Sequence, residues 1–351
     1  MAKGKADKIL IIGPSWVGDM VMAQTLFMTL KRHRPDCVID VLAPAWSQPL
    51  LDRMPQVRKG IPMPVGHGEL KLGIRRKLAG HLREEQYRQA IVLPNSFKSA
   101  LIPWMAKIPL RTGWQGELRY GLLNDRRTLD KERYPLMVER FIALGLPKGE
   151  PMPAQLPHPA LQTTPANVLF VRKHFSLNDD RPVLILCPGA EFGEAKRWPA
   201  PHYASIARQR IEEGWQVWLM GSENDRQVTA QIKSATGNEH AAYCHDLAGK
   251  TSLSEAIDLL SLGDAVVSND SGLMHIAAAL NRPLVAIYGS TSPAFTPPLN
   301  DQARLITSDL KCAPCFKRTC RFGHNHCLVE QQPGNVLAEL HKLTRQSLAQ
   351  P

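Results

Sequence analysis

Apolar residues along this chain fall into short unbroken runs, each followed by a turn and a stretch with helical spacing. Lys8–Ile12 is the first run, short and continuous, as in a strand covered on both faces of a parallel sheet. Gly13 to Asp19 turns the chain. From Met20 to about His33, apolar residues recur at Met20, Ala23, Leu26, Phe27 and Leu30, the spacing of a helix with one buried stripe. Val38–Leu42 and Ala90–Leu93 predict two further strands, and Pro94–Ser99 predicts a turn into a helix. Gly60–Gly73, broken by Pro62, Pro64 and several glycines, reads as a loop, and Leu110–Asn124 reads as irregular chain.

The same alternation begins again in the second half. Val183–Leu186 predicts a strand, Pro201–Glu213 a helix ended by Gly214, Trp215–Met220 a strand and Leu253–Leu262 a helix. Ala265–Ser268, the turn Asn269-Asp270-Ser271-Gly272, the helix Leu273–Leu280 and the strand Leu284–Tyr288 then form a complete strand–helix–strand unit. Six prolines between 147 and 165 exclude a helix or a central strand there and mark a linker. The expected architecture is therefore α/β: two doubly wound, Rossmann-like domains, 1–160 and 161–332. A last helix, about Asn335–Ala349 in a segment 333–351, is surplus to both sheets.

At 351 residues, 44% apolar and 21% charged, the chain has the composition of a soluble globular protein of two domains. No apolar run reaches the ~18 residues needed to cross a bilayer, and the first run is too short for a signal peptide, so a cytoplasmic address is expected. Charge changes the picture more. Residues 1–160 hold 25 Lys+Arg and 14 Asp+Glu, whereas residues 161–351 hold 18 of each, so the whole excess of +11 lies in the first half. That half is expected to face an anion: a nucleic acid, an anionic membrane surface or a phosphorylated substrate. Around the basic run Arg75-Arg76-Lys77 the only aromatic is Tyr87, which argues against stacking of single-stranded nucleic acid.

Gly13-x4-Gly18 has the glycine spacing of a P-loop, but Asp19 stands where the phosphate-binding lysine belongs. A carboxylate there repels a triphosphate, and Gly-x-Gly-x-x-Gly is absent as well. What remains is a turn presenting one acid at the mouth of a parallel sheet, either a candidate base or a first-turn residue favoured by the helix dipole. In the second half, Asn269, Asp270 and Ser271 sit where they either cap a helix or hold an anion at its free N–H groups. Lys196 or Arg197, beyond the end of another strand, has the charge to neutralise a phosphate.

Four segments in order carry a specific resemblance: Ile12-Gly13-Pro14-Ser15-Trp16-Val17-Gly18-Asp19-Met20, Leu93-Pro94-Asn95-Ser96-Phe97-Lys98-Ser99-Ala100, Pro188-Gly189-Ala190-Glu191-Phe192-Gly193 with Lys196-Arg197-Trp198-Pro199, and Ser268-Asn269-Asp270-Ser271-Gly272-Leu273-Met274-His275. Together they resemble the lipopolysaccharide inner-core heptosyltransferase family, over residues 8 to 300. The resemblance implies the glycosyltransferase-B fold, with a site in the cleft between domains and the last helix packing back on the first domain. It implies transfer of heptose from ADP-heptose to the heptose already on Kdo2-lipid A, with inversion, at the inner face of the cytoplasmic membrane and without nucleic acid or a required cofactor. It places the base on Asp19 and leaving-group stabilisation on Lys196. It places donor binding on Glu191, Asp225 (or, one alignment slip away, Glu223), Asp270, Ser271, Gly272 and His275. The charge split then has a use, since the acceptor carries phosphates and carboxylates. Arg75, Arg76, Lys77, Lys98, Arg111 and Arg119 are the candidate cations for it.

Cys312-x2-Cys315-x4-Cys320-x6-Cys327 stands outside this chemistry. Its first pair has zinc-ligand spacing, so the sequence allows a structural zinc, a redox pair or ordinary reduced thiols. Two rival functions use the same features. A nucleotide-sugar epimerase would turn over without an acceptor. A non-catalytic binder of anionic glycolipid would leave Asp19 without purpose.

Overall fold

The computed structural model describes residues 7–66 and 68–348, with side chains through 345, and divides into two compact units at Pro159/Ala160. The first unit contains β1 (Lys8–Ile12), α1 (Val17–His33), β2 (Val38–Pro44), the short α2 (Gln48–Leu51), β3 (Val57–Met63) and α3 (Leu72–Glu84). It continues through β4 (Gln89–Val92), α4 (Phe97–Met105), β5 (Leu110–Trp114), β6 (Asp125–Arg127) and α5 (Met137–Gly145). The second contains α6 (Pro165–His174), β7 (Val183–Cys187), α7 (Ala200–Glu212), β8 (Gln216–Leu219), α8 (Arg226–Thr236) and β9 (Cys244–Asp246). It ends with α9 (Leu253–Leu260), β10 (Ala265–Asn269), α10 (Gly272–Ala279), β11 (Leu284–Ile287), β12 (Ala303–Ile306), α11 (His326–Val329) and α12 (Pro333–Leu348).

Each unit is built on a six-stranded parallel sheet, ordered β3-β2-β1-β4-β5-β6 in the first and β12-β11-β10-β7-β8-β9 in the second. The strand order reverses between β1 and β4, and again between β7 and β10. Loops leaving the carboxyl ends of such strands diverge and open a crevice where α/β sheets bind ligands. The turns singled out in the sequence, 13–19, 94–99, 188–193 and 269–272, all leave those four strands. Ile9, Leu10 and Ile11 of β1 and Leu184, Ile185 and Leu186 of β7 are fully buried, as unbroken apolar runs require with helices on both faces.

Two stretches read as loop or irregular chain are ordered strand. β3 runs through Gly60 and Pro62 and pairs only with β2, so it is an edge strand, where a residue lacking an N–H breaks no ladder. β5 fills the first five residues of 110–124, pairing with β4 and β6. Pro165, counted in the linker, is the first residue of α6, a position that suits its fixed φ.

The last helix covers the second sheet. Val336, Leu337, Leu340 and Leu343 of α12 join the buried core of the second unit, with Ile206, Ala207, Val267 and Val285. The apolar stripe at these spacings lies over β10, β11 and α7, and His341 Nε2 meets Glu213 Oε2 at 3.1 Å beyond α7. α12 therefore closes the core of its own domain; residues 349–351 lie outside the described chain.

Candidate active site

In the first unit, β1 ends at Gly13, whose N–H donates to Leu42 O at 2.9 Å. A Cβ on Gly13 would meet Met20 Cε at 2.8 Å and Ala43 Cβ at 3.1 Å, so the turn passes close to the helix it feeds. α1 then starts with Trp16 in extended conformation as its cap, and Asp19 lies half-exposed in its first turn. The dipole of a 17-residue helix favours the ionised carboxylate there.

The six candidate cations separate into two kinds. Arg75 is buried; its guanidinium donates to Leu70 O at 2.6 Å, Glu69 O at 3.1 Å and Lys98 O at 3.2 Å. Arg119 is buried more deeply and donates to Pro94 O at 2.8 Å, Asn95 Oδ1 at 3.2 Å and Trp114 O. Arg111 donates to Leu122 O and Ile108 O, each at 2.6 Å. Burial lowers the pKa of all three, as expected for a cation that exchanges water for carbonyls. These three guanidinium groups are engaged with main-chain carbonyls of their own domain. Lys98 is half-buried and donates to Gly68 O. Arg76 and Lys77 are exposed on α3.

In the second unit the crevice between β7 and β10 gathers the donor-site candidates. Lys196, in a single 3-10 turn after β7, donates from Nζ to Asp270 Oδ2 at 2.6 Å. The same oxygen accepts from Thr291 Oγ1 at 2.5 Å. Asp270 is only 4% exposed, so its charge is balanced by a lysine and a hydroxyl where water is nearly absent. Lys196 Nζ also lies 5.0 Å from the centre of the Phe192 ring. Ser271 caps α10, its Oγ accepting from Met274 N at 3.4 Å, and Gly272 opens the helix beside it. His275, one turn on, is buried. Burial lowers its pKa to about 4, with Asp270 opposing and Lys196 adding to the shift, so its imidazole is neutral around pH 7.

Two residues that the sequence reading did not assign complete the arrangement. Thr291, in the loop after β11, is the second ligand of Asp270. Asn269, fully buried, accepts at Oδ1 from Trp198 N at 3.1 Å and Tyr203 Oη at 3.0 Å, and donates from Nδ2 to Pro188 O at 2.6 Å. One amide thus ties β10 to both ends of the β7–α7 connection and to α7 itself. Its place in the Ser268–Gly272 turn was visible; its inward orientation was not.

Asp225 and Glu191 occupy different surroundings. Asp225 is buried, and its Oδ2 accepts from Ser222 N at 2.9 Å and Ser222 Oγ at 2.8 Å. A Cβ on Gly189 would stand 2.4 Å from the Asp225 carboxyl carbon, so a bare glycine is what lets this acid fill the turn. The neighbouring acids thus differ in setting: Asp225 is buried in the turn, and Glu223, paired with Arg226 Nη1 at 2.9 Å, is exposed. Glu191 is exposed and accepts from Asn224 Nδ2 at 3.4 Å, which brings the loops after β7 and β8 together.

The cysteines form no metal centre here. All seven are free thiols, and among the described residues no three His, Cys, Asp or Glu side chains come together as a set that holds a metal ion. Burial raises the Cys327 thiol, with Cys312, Cys315 and Cys320 adding to the shift, while backbone N–H groups from Phe322 to Asn325 lower Cys320.

Residues 75–326 match the family described as Glycosyltransferase family 9 (heptosyltransferase). The chain is 53% identical to lipopolysaccharide heptosyltransferase 2 of Escherichia coli strain K12 over 347 residues, covering 97% of this chain and 100% of that protein. It is 50% identical to lipooligosaccharide heptosyltransferase 2 of Haemophilus influenzae, covering 95% and 99%. Its structure superposes on the solved E. coli ADP-heptose lps heptosyltransferase II with a TM-score of 0.89 at 51% identity, covering 97% and 100%.

Proposed function

The chain belongs to glycosyltransferase family 9, the heptosyltransferases, and from that premise we propose that it moves heptose from ADP-heptose to the first heptose of heptosyl-Kdo2-lipid A. The observation that carries the donor half is the Lys196–Asp270–Thr291 group at the start of α10, beside a buried neutral His275.

Atom by atom, an acceptor hydroxyl oxygen attacks the anomeric carbon from the face opposite the diphosphate. The new C–O bond forms as the bond from carbon to the β-phosphate oxygen breaks, and ADP leaves with both electrons. Asp19 takes the hydroxyl proton, the role of the base in inverting sugar chemistry. Lys196 exchanges part of its bond to Asp270 for the leaving phosphate, and the N–H groups at Ser271 and Gly272 add donors there. This lysine supplies the charge that a divalent ion would otherwise bring, so the proposal requires no cofactor and no zinc at the cysteines. Glu191 and Glu223 are the exposed acids for the ribose hydroxyls. Arg76, Lys77 and Lys98 face the phosphates and carboxylates of the acceptor, at the inner face of the cytoplasmic membrane.

The test measures ADP release from ADP-heptose with and without lipopolysaccharide truncated after one inner-core heptose. Release only with acceptor, and a loss of at least ~100-fold in Asp19→Ala, is the expected result. Turnover without acceptor would overturn the transfer in favour of hydrolysis or epimerisation.

A further inference from the structure

Helices α3 and α4 lie side by side and run the same way. Arg75 Nη1 reaches Lys98 O at 3.2 Å near their first turns, and Arg83 Nη2 reaches Met105 O at 2.7 Å at their last. α3 buries Arg75, Ala79 and Leu82, which leaves the opposite face to solvent. That face is not the polar surface such a helix ordinarily presents. Leu72 is 49% exposed on the flank toward α4, and Ile74, about 200° further round the helix, is 40% exposed on its far side. On α4, Phe97 and Trp104, two turns apart on one stripe, are 39% and 47% exposed. Leu72, Arg76 and Arg83 share one flank by helical spacing, and Arg83 touches α4, so this flank borders the stripe carrying Trp104.

Exposed cations are interleaved with these side chains: Arg76 and Lys77 on α3, Arg83 at its end, and Lys107 just after α4. From residue 70 to residue 83 there is no acid; Glu84, the last residue of α3, is exposed, and Glu69 and Glu117 at the edges are engaged, with Lys71 Nζ at 2.9 Å and Phe97 N at 2.5 Å. Exposed Leu and Trp set among lysines and arginines on a rigid helical face are what an anionic bilayer surface binds. The apolar groups enter the headgroup boundary while the cations meet lipid phosphates.

We propose that the outer face of the α3–α4 pair docks this protein on anionic phospholipid. This rests on the reading of a lipid-borne acceptor and adds a surface distinct from the donor site. The anchoring Leu72 and Trp104 belong to no step of the transfer. The cations are what select charged over zwitterionic lipid.

The experiment mixes full-length protein with sedimentable vesicles of phosphatidylcholine alone, or with roughly a third phosphatidylglycerol, and no acceptor. Binding is expected only to the anionic vesicles, and salt should weaken it. Leu72→Ser/Trp104→Ser should weaken it by at least tenfold, while ADP release with detergent-dispersed acceptor stays at the parental rate. Leu72→Ser alone, a milder surface change, should weaken it several-fold if the double variant misfolds. Parental binding by correctly folded variants, or equal binding to both vesicles, would overturn the proposal. Loss of acceptor-dependent ADP release in the parent would instead strike the transferase reading, and vesicle binding would still decide the surface.

Discussion

His275 offers a quantitative check on the donor site. Its pKa is about 4 in the folded chain, against 6.5 for an ordinary imidazole, because burial removes the water that would solvate the cation. At one unit per 1.36 kcal/mol, the difference amounts to roughly 3 kcal/mol. A depressed folded pKa means that the unfolded chain binds this proton first. The stability associated with neutral His275 is thus complete above pH 6.5 and is lost as pH falls from 6.5 toward 4. His275→Gln removes the titration while keeping a polar side chain. Hydrogen exchange of peptides covering 264–289, followed from pH 7 to pH 4 and corrected for intrinsic rate, reads the loss locally. The parent should lose about 3 kcal/mol more protection than the variant, roughly a 150-fold change in protection factor. Carboxylates common to both proteins cancel in that difference. Parallel curves would refute the burial argument. So would an activity limb near pH 6.5 present in the parent and absent from His275→Gln, since the imidazole is already neutral there.

Lys196→Met should lower kcat by ~100-fold or more, as removal of one positioned charge at a leaving group does. Acceptor KM should be unchanged, so a pure rise in acceptor KM in steady-state kinetics would move Lys196 out of the donor site. Gly189→Ala places a methyl 2.4 Å from the Asp225 carboxyl carbon, with Ser222 holding that acid in place. ADP affinity should fall at least several-fold by calorimetry, and an unchanged affinity would show that the loop yields freely. Arg119→Met removes the guanidinium donor to Trp114 O, Pro94 O and Asn95 Oδ1, of which the bond to Trp114 is buried, and should cost roughly 1–3 kcal/mol in urea unfolding. A loss under 0.5 kcal/mol would mean that Arg119 does not fasten its loop.

The strands and the two-domain plan were legible because a parallel sheet covered on both faces needs unbroken apolar runs, and no other element of this length does. β3 was not legible, since Pro62 and two flanking glycines carry a loop signal and only its edge position makes them harmless. α12 was legible as a helix, but the core it covers was not. Its apolar stripe specifies that something is covered, and sequence carries no address for what. Similar reasoning applies to the acids. Asp225 and Glu223 stand two residues apart in one turn, and either could face a ligand until Gly189 is seen to leave room for the buried one. Thr291 gave no signal, because a threonine in a loop of Ser, Thr and Pro is ordinary until Asp270 is found 2.5 Å away.

The charge of the first domain needs a finer account than its net value. Arg75, Arg111 and Arg119 keep their charge while donating to main-chain carbonyls, so they still contribute to the long-range field that draws an anionic acceptor inward. A donor turned to a phosphate would abandon a carbonyl that is, for most of these bonds, part-buried. Steering and contact therefore fall to different residues in this domain. Neutralising Arg76 or Lys77 removes both effects, whereas replacing Arg119 removes field and loop together. Ionic strength separates the two: added salt screens the field within about 8 Å at 0.15 M but leaves short bonds to phosphate largely intact. An Arg76→Ser/Lys77→Ser defect in acceptor KM that persists at high salt would mark contact. One that vanishes would mark steering alone.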